Sequence, residues 1–229
     1  MRGHDQTELE PAWRATAASR CRCPANLAVM DWTPAVLHLA KADPRFAPII
    51  DKHGHPTITP TRDAVQSLAR AIVGQQLSGK AASTIWGRVL DLYPKRKFPR
   101  PAAILATPDA SLRAAGLSGA KAAAIKDLAR HVVEAKVVPA NLPALTDAQI
   151  SELLLPVRGI GPWSVDMFLM FALARPDVLP VGDLGVRKGM QMHFNLRKLP
   201  EADRMIKLAA PWQPYRTVGA WYMWRLLET

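Results

Sequence analysis

Apolar residues along most of this chain recur every three or four positions, the spacing that builds one buried face on an α-helix. In residues 61–74 (TRDAVQSLARAIVG), Val65, Leu68, Ala69 and Ile72 share such a face. In residues 78–93 (SGKAASTIWGRVLDLY), Ile85, Val89 and Leu92 recur in the same way, and Ser78 is placed to cap the first turn. A third helix is expected over about 120–136, with Ile125, Leu128, Val132 and Val133 inward. A fourth opens on Thr146 and Gln149, which have capping-box spacing, and ends near Pro156. A fifth starts at Pro162, a residue suited to a first helical turn, and runs to about Ala174. Further helices are expected from about Leu184, from Glu201, and from Pro214 to the end. No segment alternates apolar and polar residues as a half-buried strand does. The expected fold class is all-α.

The first 29 residues are polar and Arg-rich and carry no such period. They are expected to form an irregular or disordered tail, with Met30 opening the patterned part. Both cysteines of the chain, Cys21 and Cys23, lie in this tail. A lone Cys-x-Cys pair cannot build a four-thiolate zinc or iron–sulfur site. His53 and His55 (DKHGHP) read as a solvated turn rather than a metal site.

With 229 residues and 49% hydrophobic content, the chain can bury a core in one domain or two small lobes. A net charge of +11 favours a polyanionic partner, either nucleic acid or an anionic membrane surface. No apolar run approaches the roughly 20 residues of a membrane span. The N-terminus lacks the apolar core of a secretory signal, so a cytoplasmic protein is expected.

The stretch that carries chemistry is residues 153–189 (LLLPVRGIGPWSVDMFLMFALARPDVLPVGDLGVRKG). Gly159, Ile160 and Gly161 form a tight turn between two helices. Glycines flanking one apolar residue let backbone N–H groups point outward together, at the N-terminus of the helix that opens at Pro162. Such a nest suits a phosphate. Further along stands one isolated acid, Asp183. Its bland reading is an N-cap for the helix that follows, and its chemical reading is a carboxylate that stabilises developing positive charge. The two are compatible, because capping N–H donors complement the charge that the chemistry needs. Together, hairpin and acid point to an enzyme acting on nucleic acid.

This stretch resembles the helix-hairpin-helix DNA glycosylase superfamily, with its Gly/Pro-rich loop and catalytic aspartate. Within that superfamily the chain is similar to the monofunctional 3-methyladenine DNA glycosylase II branch. Residues 72–88 (IVGQQLSGKAASTIWGR) and 115–129 (AGLSGAKAAAIKDLA) extend the match, and 212–224 (WQPYRTVGAWYMW) is a weaker fourth block. The resemblance implies two helical lobes with the active site in the cleft between them: a central lobe over about 61–175 and a second lobe from about 30–60 plus 176–229. It implies a monomer that binds double-stranded DNA carrying alkylated bases, flips the damaged nucleotide out and hydrolyses its N-glycosidic bond. No organic cofactor and no membrane partner are implied.

Residue by residue, the resemblance makes Asp183 the catalytic acid. Trp163 stands where lyase-active relatives carry a Schiff-base lysine, so no amine is available for β-elimination; Trp163 becomes a pocket wall. Trp224 matches an aromatic that stacks on the extruded base, and an indole face attracts a cationic alkylpurine. Met167, where relatives often place a tyrosine, is the third expected base-pocket residue. Gln76 and Leu77, in the turn after residues 61–74, are joint candidates for the wedge that fills the gap left by flipping. Gly159 and Gly161 are expected at one phosphate, and Gly116 and Lys121 (GLSGAK) at a second. The backbone carbonyls of Leu155, Val157 and Ile160 are candidate ligands of a structural Na+ or K+ ion. Two rivals remain: a non-catalytic helix-hairpin-helix DNA-binding module, which has no use for Asp183, and a bifunctional glycosylase/lyase, against which Trp163 argues.

Overall fold

The computed structural model describes residues 30–61 and 63–228. The tail expected over 1–29, with Cys21 and Cys23, lies outside the described residues. Among the described residues the fold is helical throughout, without a strand, and none of its helices is long and apolar enough to cross a membrane. The chain divides into two compact units, whose described parts are 63–164 in the first and 30–61 with 165–228 in the second.

The chain opens in the second unit with α1 (Thr33–Ala42) and α2 (Ala47–His53). It then builds the first unit from α3 (Ala64–Gly74), α4 (Gly79–Asp91), α5 (Pro101–Ala106), α6 (Asp109–Ala114), α7 (Gly119–Val133) and α8 (Asp147–Leu154). The Asp63 carboxylate caps α3 by accepting from the Gln66 N–H at 2.8 Å, and α3 buries Val65, Leu68, Ala69, Ile72 and Val73. Helix α7 packs against α3, α5 and α6. Its buried face is short-chained, with Ala122, Ala124 and Ala129 beside Ile125 and Leu128, so neighbouring backbones can lie close to it. The Thr146–Gln149 capping box forms as expected at the start of α8.

Helix α9 (Pro162–Met167) begins where the sequence places it but does not run on to Ala174 as an α-helix. It continues as a π-helical stretch over Phe168–Ala172, with the Leu173 N–H donating to the Phe168 carbonyl at 3.1 Å. The Ala172 carbonyl accepts instead from the Thr61 N–H at 2.8 Å. Apolar spacing does not reveal such widening, because the side chains stay inward through it. The first unit accordingly ends at Ser164 rather than near Arg175. Beyond Ser164 the chain bonds within the second unit, as with the Arg175 carbonyl accepting from the Thr217 hydroxyl at 2.6 Å.

The second unit is completed by α10 (Leu184–His193), α11 (Ala202–Leu208) and α12 (Arg216–Arg225). Every residue of α12 from Thr217 to Trp224 is buried, so it is the unit's central helix and shows no amphipathic stripe. Trp212, Phe46, Met190 and Met205 pack the core around it. A buried polar pair also lies here: His193 Nε2 is 2.8 Å from Asp43 Oδ2, and the Arg45 guanidinium donates to Asp43 Oδ1 at 2.7 Å. Burial pushes the His193 imidazole below its ordinary value, against the pull of Asp43.

Candidate active site

In the first unit, the segment after α8 folds into two successive tight turns. The Val157 N–H donates to the Leu154 carbonyl at 3.0 Å, and the Ile160 N–H to the Val157 carbonyl at 3.1 Å. Val157 and Ile160 turn inward and are buried. Gly159 sits at φ 79, and a Cβ there would lie 2.8 Å from the Ala124 Cβ on α7, so glycine is required twice over. Gly161 differs: a Cβ there would meet nothing within 4 Å. The fold itself does not demand glycine at that position, which leaves open backbone at the start of α9. The N–H groups of Gly159 and Gly161 take no part in the hydrogen bonding of the turn. The Arg158 N–H, by contrast, is held by Asp127 Oδ2 at 2.9 Å.

The donor set expected for a cation is chemically suited to a hard monovalent ion, being three neutral carbonyl oxygens. The Val157 carbonyl already accepts from Ile160 and keeps one lone pair for a metal. Among the described residues, no group of His, Cys, Asp or Glu side chains is placed to hold a metal ion.

The turn between α3 and α4 puts Gln76 at its exposed tip, in a left-handed conformation with φ 57. Leu77 beside it is half-buried. Ser78 caps α4 as the sequence suggests, with the Ala81 N–H 3.4 Å from its hydroxyl.

Two residues expected at a phosphate are used inside the fold instead. Gly116, at φ 104, ends α6, and its N–H donates to the Arg113 carbonyl at 2.9 Å. That N–H is therefore not offered to a ligand. The Lys121 ammonium donates to the carbonyls of Val73 and Gln75 at 2.8 and 2.7 Å. A cation on carbonyls at the end of α3 is satisfied by the helix terminus and by its dipole. Burial holds the Lys121 amine below the ordinary lysine value.

Trp163, half-buried in α9, is the last residue but one of the first unit. The remaining predicted residues belong to the second unit. Asp183 is 6% exposed and is the N-cap of α10, as its bland reading requires. Its Oδ1 accepts from the Val186 N–H at 2.8 Å and from the Trp224 Nε1–H at 2.9 Å. Trp224 thus stands somewhere other than expected. It is 0% exposed, so its ring face is covered rather than offered to a base, and its edge is turned to the acid. Phe171 from the π-helical stretch lies against it, with ring centroids 5.8 Å apart. Met167 is buried as well.

The structure adds a carboxyl that sequence reasoning missed. Asp166 is half-buried on α9, and burial, followed by the charge of Asp183, pushes it up to about 6. Its signal was legible as the one charged residue in the largely apolar run from Trp163 to Ala174. A proton held at a value above the ordinary 3.8 sets a stability trend. Between those two values the folded chain keeps a proton that the unfolded chain has lost, so stability falls as pH rises, and the full penalty stands above the higher value. Asp166→Asn removes the penalty. Above that window the variant is expected to be more stable than the parent by on the order of 1–2 kcal/mol, after discounting for partial exposure. Below the window the difference vanishes. Thermal unfolding across pH checks this, and a pH-independent difference would rule it out.

Residues 69–214 match the model of the HhH-GPD superfamily base excision DNA repair protein. The chain is 31% identical over 204 residues to DNA-3-methyladenine glycosylase 1 of Schizosaccharomyces pombe, covering 86% of this chain and 88% of that protein. Among solved structures, it resembles an S. pombe 3-methyladenine DNA glycosylase in complex with abasic DNA, with a TM-score of 0.78 and 30% identity over 86% of this chain and 98% of that one. A DNA-3-methyladenine glycosidase from Bacillus halodurans gives a TM-score of 0.76 at 32% identity, covering 88% and 92%. On this match the chain belongs to the HhH-GPD superfamily of base excision DNA repair proteins.

Proposed function

We propose that this protein is a monofunctional DNA N-glycosylase that excises alkylated bases of the 3-methyladenine and 7-methylguanine type from duplex DNA. The observation that carries the reading is Asp183, a buried carboxylate fixed through Oδ1 by the Val186 N–H and the Trp224 Nε1–H. Cleavage of the N-glycosidic bond places positive charge on the sugar. A preoriented carboxylate stabilises that charge and orients the attacking water. A cationic alkylated base departs as a neutral molecule, so the leaving group needs no general acid. Trp163 supplies no amine, and the product is an abasic site in an uncut strand.

The other residues take supporting roles. The N–H groups of Gly159 and Gly161 bind a phosphate of the damaged strand. The carbonyls of Leu155, Val157 and Ile160 would hold a Na+ or K+ ion, whose charge would draw the same phosphate to the hairpin. Gln76, with Leu77 beneath it, enters the gap left by the flipped nucleotide. Trp163 walls the base pocket.

The test is direct. Methylated duplex DNA is incubated with the protein, and the released bases are identified by mass spectrometry. Release of methylated purines with the strand left intact supports the reading. Absence of release would leave the non-catalytic DNA-binding module, and borohydride trapping on abasic DNA would establish a lyase instead.

Trp224→Phe isolates the contact to the acid. It keeps an aromatic ring in the core and removes the donor to Asp183 Oδ1. A hydrogen bond to a charged group contributes about 1.5–3 kcal/mol, so the single-turnover rate is expected to fall roughly ten- to a hundredfold. DNA affinity should be unchanged. A fully active variant would show that the indole N–H does not position the acid.

A further inference from the structure

Within the first unit the exposed Gln76 tip is tied to the hairpin through the side chain of its neighbour Gln75. Gln75 Nε2 donates to the Gly159 carbonyl at 2.8 Å and lies 3.1 Å from the Ser164 hydroxyl. One amide thus spans from the end of α3 to the apex of the hairpin and to the first turn of α9. On its other side, the Gln75 carbonyl is gripped by the Lys121 ammonium, which also holds the Val73 carbonyl. Helix α7 supplies that lysine. It also supplies Asp127, which holds the Arg158 N–H, and Ala124, against which Gly159 closes. A single helix therefore registers both the tip and the hairpin, and Gln75 joins the two directly.

We infer that Gln75 and Lys121 are positioning residues that fix the Gln76–Leu77 tip relative to the phosphate-binding hairpin, so that a strand held at the hairpin meets the wedge in a set register. The inference rests on the glycosylase reading and deepens it. Termination of α3 does not need these side chains. The Leu77 N–H already closes the turn on the Gly74 carbonyl at 3.2 Å, and Ser78 caps the next helix. Gln76 adopts a left-handed conformation that residues other than glycine seldom take, which surrounding structure must hold in place. A lysine of a strongly basic chain is also withdrawn from solvent to do the holding, with its amine lowered by burial. Wedge insertion is needed only where flipping opposes base pairing. Loosening the clamp should therefore damage action on paired lesions and spare action on unpaired ones.

The variants are Gln75→Leu and Lys121→Met, with Lys121→Arg as the conservative control and Ser164→Ala as a mild second disruption. Three quantities are read for each: the thermal midpoint, the single-turnover rate on a methylated base in duplex and in single-stranded DNA, and the fluorescence of 2-aminopurine extruded on binding. Gln75→Leu and Lys121→Met should lose about tenfold in rate on duplex, as expected for hydrogen bonds that hold one geometry, and keep most of the single-strand rate. The 2-aminopurine signal should fall in step with the duplex rate. Lys121→Arg should recover much of the loss, and Ser164→Ala should lie between. Equal losses on both substrates, or losses that follow a drop in thermal midpoint, would overturn the inference and leave a purely structural clamp. The fluorescence needs no catalysis. Wild-type protein that extrudes 2-aminopurine but releases no methylated base refutes the glycosylase reading, while the variants still decide the clamp.

Discussion

Asp183→Asn is expected to fold, bind DNA as tightly as the parent, and release bases on the order of a thousandfold more slowly, the loss that follows removal of a preorganised charge from a developing one. That factor corresponds to about 4 kcal/mol of transition-state stabilisation. Oδ1 accepts from Val186 and Trp224, and the amide oxygen of asparagine can keep both bonds. The cap of α10 therefore survives, and the thermal midpoint should move little. What disappears is the negative charge that the oxocarbenium-like sugar needs, which acts in the transition state and not in the bound substrate. The measurement is a single-turnover rate with saturating protein, beside a binding curve on the same DNA. Loss of rate without loss of affinity is the expected signature. A variant that turns over normally would remove Asp183 from the chemistry, and one that fails to fold would mean that its capping role outweighs the rest.

How much of this was readable beforehand depended on which physical signal each residue leaves in the chain. Helices with one buried face declared themselves by spacing, as in α3 and, through Ile125 and Leu128, in α7, although Val133 at the end of α7 is exposed and not inward as expected. Their caps declared themselves by residue type, as at Ser78, Thr146 and Asp183. Helices α5 and α6 are too short to show a period, and α12 is buried all round, so its apolar residues form no stripe. The π-helical turn after Met167 left no mark, because widening a turn changes backbone partners and not side-chain character. Site residues divided the same way. Gly159 was legible because a tight turn needs its conformation, and Asp183 because an isolated acid before a helix is conspicuous. Lys121 and Gly116 were misread, since a lysine and a glycine beside a turn look alike whether they serve a phosphate or the fold. Only the carbonyls they bond, on Val73, Gln75 and Arg113, separate the two. Trp224 was noticed for its ring, while the structure uses its N–H.

The second large effect comes from two glycines that helix propensity alone would count as defects. Gly185 and Gly189 lie one turn apart on the same face of α10, the face turned to α12. A Cβ on Gly189 would lie 2.2 Å from the Met223 carbonyl oxygen and 2.7 Å from its carbon. Those atoms belong to the backbone of a fully buried helix and cannot swing aside. Gly189→Ala must therefore push α10 and α12 apart through the core, at a cost of about 3 kcal/mol or more and a fall in thermal midpoint of roughly 5–10 °C. At Gly185 the conflict is of another kind. A Cβ there would meet Trp224 Cδ1 at 2.7 Å and Nε1 at 2.9 Å, both side-chain atoms. The indole can yield, and in yielding it leaves Asp183. Gly185→Ala is thus expected to lose activity nearly as Trp224→Phe does while keeping most of its stability, whereas Gly189→Ala loses stability first and activity only with it. Thermal unfolding and single-turnover rates on the two variants separate these outcomes. A Gly189→Ala protein as stable as the parent would show that the two helices need not lie so close. In that case the placement of Trp224 against the acid would no longer follow from their packing.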